Sequence, residues 1–231
     1  MKHLLAILVT LALLMFAHLG LAKVSQDPRI KIAILDTGIS ITKKLKPFLC
    51  KGKHLTFFKN DSPFVDENGH GTNIAGIIAD YMNPKTHCIL SVKVFKGIYR
   101  VSSRINLLLK QNVQFINLSM AGTQWINLEH QFLKRAIAQG IKVSVAAGNR
   151  DNKTRKPANL SLKCKIYPAC YPLNPKYFHV VASNTGEYSN FGGPAKWLED
   201  GSEKGEPALS GSSQATAVHT GKWMIEKVGD L

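Results

Sequence analysis

The chain has 231 residues, 45% of them hydrophobic, and its 30 lysines and arginines against 15 aspartates and glutamates give a formal charge of +15. That length suits one well-buried domain and is too short for two comfortable ones. The cationic excess attracts anionic surfaces, but Lys43, Lys44, Lys51, Lys53, Lys153, Arg155 and Lys156 are scattered through loops rather than gathered in a nucleic-acid motif, so no specific nucleic-acid partner is expected.

Lys2 and His3 precede an apolar run from Leu4 to Ala17, and Leu19-Gly20-Leu21-Ala22 follow before Lys23. This reads as a secretory signal peptide cleaved after Ala22, since the run is shorter than the ~20 residues that span a bilayer. The expected organisation is a signal peptide over 1–22 and a single catalytic domain over 23–231, which is 231 − 22 = 209 residues. The product would be secreted or periplasmic, with no transmembrane anchor. Cys50, Cys88, Cys164 and Cys170 suit an exported protein with two disulfides. Four cysteines allow three pairings and the sequence does not choose among them; the pairing expected is Cys50 with Cys88 and Cys164 with Cys170. Paired zinc-type spacings are missing, and no metal or cofactor is expected.

Ile30 to Leu35 is a short β-branched run ending at Asp36, the pattern of a buried parallel strand with a polar residue at its carboxyl end. Asp36-Thr37-Gly38 then leaves the sheet, either as an Asp-Gly turn or as a carboxylate held ionised beside an imidazole. His54 to Phe58 could form a strand, and residues 60–69 are rich in turn formers. Asp61, Asp66 and Glu67 lack calcium-loop spacing and read as solvated acids. His70 opens a helix over 71–81, with Ile74, Ile77, Ile78 and Tyr81 at helical spacing. The positive end of the helix dipole there should disfavour imidazolium. His54, His87, His130, His179 and His219 read as surface or core residues.

Ser91 to Phe95 is a second buried-strand pattern, reached by a short connection over 82–88. Ser102 to Lys110 reads as a capped helix, 115–119 as a strand, 127–139 as a helix closed by Gly140, and 141–146 as a strand. This alternation predicts an α/β fold: a three-layer parallel sheet flanked by helices, with ligands at the carboxyl ends of the strands. Asp36, Ser119 and Asn149 fall at or just past such ends. Residues 167–177 carry three prolines and should be irregular, 180–183 is the last core strand expected, and 197–207 reads as an exposed acidic loop. A Gly-Ser-Ser turn, Gly211 to Ser213, runs into a final helix and displays a hydroxyl; Ser213 can also serve as that helix's N-cap.

Asp36-Thr37-Gly38, His70-Gly71-Thr72, Ala146-Ala147-Gly148-Asn149 and Ser210-Gly211-Ser212-Ser213-Gln214-Ala215 follow one another in the order acid, base, nucleophile. The set resembles the subtilisin-like serine proteases over roughly 30–226. Each fragment alone is weak; together they are specific. The resemblance implies a secreted serine endopeptidase with catalytic Asp36, His70 and Ser213 and with Asn149 in the oxyanion hole. It also implies substrate binding along Ser119, Met120, Ala121, Gly122 and Gly148, with Tyr171-Pro172 flooring the pocket for the residue before the scissile bond. The partner is then a protein or peptide substrate, an inhibitor or chaperone could be a second, and a monomer is the expected state.

The chain departs from the family pattern at several points. Ala121 stands where glycine is common and should narrow the pocket, Ser212 replaces threonine, and Ala217 replaces proline. Residues 82–88 are too short for the calcium-wrapping excursion of secreted relatives, and the thirteen residues Lys23 to Leu35 leave no room for a folding prosegment. With eighteen residues after Ser213, the expectation is a minimal member. These departures keep open a noncatalytic module that binds peptides or anions.

Overall fold

Strand β1 (Ile30–Asp36) is buried from Lys31 onward, and its side chains divide between two apolar layers. Alternate residues of a strand point to opposite faces of the sheet. Ile32 and Ile34 face one cluster with Ile74, Ile78, Ala217 and Met224, while Ala33 and Leu35 face another with Leu90, Val92, Ile116, Phe132 and Leu133. That two-sided burial explains why the strands are continuous apolar runs rather than alternating ones. The computed structural model describes residues 27–150, 154, 156–185, 188–202, 204–205 and 209–226, so the expected signal peptide lies outside the described residues.

The other strands are β2 (Leu55–Thr56), β3 (His87–Lys93), β4 (Phe95–Lys96), β5 (Ile98–Tyr99), β6 (Phe115–Leu118), β7 (Lys142–Ala146), β8 (Phe178–Ser183) and β9 (Trp197–Glu199). Seven of them form one sheet in the order β2-β3-β1-β6-β7-β8-β9, parallel throughout. Helices α1 (His70–Ala79) and α3 (Ser212–Glu226) cover one face, and α2 (Asn127–Ala138) covers the other. This is the expected three-layer α/β fold. From β1 the chain crosses first to the outer strand β2 and returns through β3 beside β1, then passes to β6 on the other side and builds outward, so the direction of winding reverses between β1 and β6. Open parallel sheets bind ligands at such a reversal, beyond the carboxyl ends of the strands. Asp36 ends β1 and Ser119 follows β6 there.

Ser103–Lys110 is the capped helix expected, with the Ser102 side chain accepting from the Arg104 amide, and it takes the 3-10 form with its two buried residues, Ile105 and Leu108, at the three-residue period. Two expectations change. Trp197 to Glu199 is an edge strand beside β8, since the Trp197 ring stacks on His179 and outweighs the acidic character of Glu199 and Asp200. The antiparallel pair β4–β5 has no counterpart among the expected elements. Disulfides Cys50–Cys88 and Cys164–Cys170 both form as expected. Among the described residues no helix is long and apolar enough to cross a membrane.

Candidate active site

The turn after β1 and the start of α1 are joined by a continuous run of hydrogen bonds. The Thr37 amide donates to Asp36 Oδ1 at 2.8 Å, the Thr37 hydroxyl donates to Asp66 Oδ1 at 2.7 Å, and the Gly71 amide donates to Thr37 Oγ1 at 2.9 Å. Asp66 also accepts from the amides of Gly69 and Thr72 at 2.8 Å each and from the Thr72 hydroxyl at 2.6 Å, capping α1 from upstream. Asp66 is therefore a structural anion, not the solvated acid its spacing suggests. Gly71 has to be glycine: a Cβ there would meet the Gly38 carbonyl oxygen at 2.1 Å. Asp61 and Glu67 are likewise engaged, pairing with the fully buried Lys93 at 3.0 and 2.7 Å and so pinning the loop that leads into α1.

Held this way, His70 Nδ1 lies 2.7 Å from Asp36 Oδ1, with the imidazole 22% exposed and the carboxylate 1%. The bond to a carboxylate assigns the proton to Nδ1 and leaves the Nε2 lone pair free. Burial pulls the His70 pKa down, but the charge and hydrogen bond of Asp36, helped by the charge of Asp66, outweigh it and the net shift is upward. The helix dipole thus loses to two carboxylates, against the expectation of a base kept neutral by the dipole.

Ser213 lies in the first turn of α3. Its hydroxyl donates to the Ser119 carbonyl at 2.7 Å, and the Ser119 hydroxyl donates back to the Ser213 carbonyl at 2.9 Å. Asn117 completes the tie, donating to Ser119 Oγ at 2.9 Å and accepting from the Thr220 hydroxyl at 2.9 Å. Asn149, exposed just beyond β7, accepts at Oδ1 from both the amide and the hydroxyl of Ser212, each at 2.9 Å. With its oxygen occupied, the Asn149 NH₂ is the end left to donate. Gly211, at φ 142°, lets the chain pass so close that a Cβ would sit 2.8 Å from Asn149 Nδ2.

The two halves meet through Gln214, whose Nε2 donates to Asn73 Oδ1 on α1 at 3.0 Å. Among the described residues no hydrogen bond joins Ser213 Oγ to His70.

A profile of the Subtilase family of S8 peptidases matches residues 27–223. The chain belongs to the subtilase family. It is 31% identical over 187 residues to the major intracellular serine protease of Bacillus subtilis (strain 168), covering 73% of this chain and 57% of that protein. Identity is 32% over 158 residues with an intracellular serine protease of Paenibacillus polymyxa, covering 62% of this chain and 47% of the relative. The chain thus spans about half the length of the curated relatives it matches. A lanthipeptide protease shares the fold at TM-score 0.67 and 20% identity over 85% of this chain and 72% of that one. The prenylagaramide maturation protease PagA does so at 0.59 and 18%, over 85% and 74%.

In this subtilase the segment after β6 is anchored at Gly122, whose amide and carbonyl both pair with Tyr167 at 2.8 and 2.7 Å. Ala121 is exposed and faces the next segment: a Cβ built on Gly148 would lie 3.2 Å from the Ala121 methyl. Tyr171 sits deeper than a pocket floor, with its hydroxyl accepting from the Ile126 amide at 3.2 Å and contacting Glu129 Oε2 at 2.9 Å. A pocket of about 260 Å³ opens behind Met120 to Gly122, with Tyr99 and Glu129 in its wall. Sequence reasoning missed Asp66, Tyr99 and Glu129; the last is an acid in an otherwise amphipathic helix pattern, and only its burial sets it apart.

Proposed function

We propose that this subtilase is a secreted serine endopeptidase in which residues 1–22 are a signal peptide and 23–231 the catalytic domain. Ser213 attacks a peptide carbonyl while His70 Nε2 removes its proton, and Asp36 holds the imidazole in the useful tautomer. Asn149 Nδ2 and the Ser213 amide stabilise the oxyanion. His70 returns the proton to the leaving amine, and water then hydrolyses the acyl-enzyme with His70 again as base. The observation that carries this reading is the 2.7 Å bond between buried Asp36 and His70 at the carboxyl end of the central strand β1, with Ser213 tied to Ser119 just past β6 and Ser212 tied to Asn149 just past β7. The mechanism requires the Ser213 hydroxyl to leave the Ser119 carbonyl and turn to His70 Nε2.

That same Ser119 bond favours the second reading, a noncatalytic peptide- or anion-binding module whose hydroxyl is locked in place. A fluorophosphonate probe separates the two. Wild type is expected to be labelled at Ser213 and Ser213→Ala not, with a labelling rate that rises with pH through a midpoint above 6.5, because His70 must be neutral and its pKa is raised. Folded wild-type protein that resists the probe at pH 8 would establish the binding module instead.

Ala121 sets a further expectation. Its methyl against Gly148 narrows the slot for the residue before the scissile bond, so a peptide library should show small or medium side chains there. Strong preference for bulky aromatics would contradict it.

A further inference from the structure

Glu129 stands in the first turn of α2, 3% exposed, in the wall of the pocket behind Met120. Its Oε1 accepts from the Tyr99 hydroxyl and its Oε2 from that of Tyr171. Buried carboxylates ordinarily have a cation. This one has none within ion-pair distance among the described residues, in a chain carrying twice as many basic as acidic side chains. Burial lifts its pKa above the ordinary range against the pull of both phenols, as expected for an anion short of a counter-charge.

The rest of the wall suits a cation. Phe95, Tyr99, Met120, Ile126 and Tyr167 line it, and Trp125 packs edge-on against Tyr167 with ring centroids 5.4 Å apart. Aromatic faces attract ammonium and guanidinium groups, and apolar walls receive the methylene stem of lysine or arginine. At about 260 Å³ the pocket is smaller than the roughly 300–1,000 Å³ of drug-sized ligand sites and is on the scale of a single side chain. Gly148, Asn149 and Ser213 take no part in the lining, so the occupant is not the residue next to the scissile bond.

We infer that this pocket takes a lysine or arginine side chain of the substrate, from a residue on the acyl side of the scissile bond but beyond the first, with Glu129 as its counter-ion. The inference rests on the peptidase reading for the identity of the substrate, while the pocket's charge preference can be read without turnover. The other titratable groups facing the pocket or next to Glu129 include Tyr99 from β5, Tyr167 and Tyr171 from the loop before β8, and His130 on α2, whose pKa burial and the charge of Lys134 hold below its usual value.

The test uses the Ser213→Ala chain and fluorescence anisotropy of a peptide ladder in which lysine moves one position at a time along the acyl side, against the same ladder carrying norleucine. One position is expected to favour lysine by about tenfold or more, the scale of one charge-assisted hydrogen bond. Glu129→Gln in the same background should bring that ratio to about one. Acidifying the Ser213→Ala protein should shrink the ratio as the carboxyl, raised by burial, protonates, which decides the matter if the glutamine variant does not fold. A ratio near one at every position, no binding by any peptide, or a ratio indifferent to both substitution and acid overturns the assignment. Probe labelling of wild type keeps the two readings apart. Labelled protein without a lysine preference loses only the pocket, whereas unlabelled protein with one loses only the peptidase.

Discussion

Ser213→Ala and His70→Ala are each expected to lower kcat on a peptide anilide by about 10⁶, and the double variant to fall no further; that scale belongs to subtilisin and is carried over from it. The non-additivity follows from the proposed mechanism, in which His70 acts only by moving the Ser213 proton, so that removing either partner removes the same step. Asp36 works one bond further back, through the 2.7 Å contact with Nδ1. Asp36→Ala should therefore cost less, about 10⁴ by the same comparison, and should move the midpoint of the pH–rate profile downward, because the charge that raises His70 is gone. KM should change little in all three, as none of these groups binds the substrate's flanking residues. Losses that simply add, or a Ser213→Ala protein retaining wild-type turnover after purification, would remove the triad from the mechanism.

The strands that hold this chemistry are legible in the sequence because both faces of the sheet are covered. Ile30 to Leu35 and Ile141 to Ala146 read as short apolar runs, and runs of that kind mean the same thing wherever they occur. Asp36 and His70 are legible because each stands at the junction of two periodicities. The surrounding polar scaffold is not. Asp66 makes four hydrogen bonds with partners at positions 37, 69 and 72, and nothing in the sequence at 66 distinguishes it from the acids beside it. Lys93 sits at the end of an apolar strand where a solvated charge would be normal, and only the fold brings Asp61 and Glu67 to it. The same holds for Glu129, whose partners Tyr99 and Tyr171 come from a hairpin and a proline-rich loop that no periodicity announces. Side chains that answer to the sheet can be read one at a time, whereas those that answer to one another become visible only in pairs.

His179 and His219, which in the sequence look like ordinary surface or core residues, should make the fold sensitive to acid. His179 on β8 stacks between Trp197 and Trp223, at 4.2 and 3.6 Å between ring centroids, and its Nδ1 lies 2.9 Å from Nε2 of His219 on α3. Only one proton fits between those nitrogens. Burial, the His219 ring and the nearby Lys142 charge hold the His179 pKa down to about 3. His219 is also lowered by burial, although Glu199, with an oxygen 3.6 Å from its Nδ1, pulls the other way. Both rings are thus carried neutral into the fold. An unfolded histidine takes up its proton near pH 6.5. The unfolded chain therefore binds more protons than the folded one from about pH 6.5 down to about 3, and stability falls as pH falls through that window.

At pH 5 the loss from His179 alone is about 2 kcal/mol, a sizeable part of a typical folding free energy of roughly 5–15 kcal/mol. His54 and His87, both lowered by burial, add to the slope, and His70, raised by Asp36, opposes it. His179→Phe keeps an aromatic ring between the tryptophans and removes one titration. Guanidinium unfolding at pH 7.5 and pH 5 should accordingly show a pH-dependent loss about 2 kcal/mol smaller in the variant than in wild type. If the two proteins lose stability equally on acidification, the ring pair is not the acid-sensitive contact. A difference of the expected size would place that contact on α3, the helix that carries Ser213, so that acid loosens the support of the proposed nucleophile as well as protonating its proposed base.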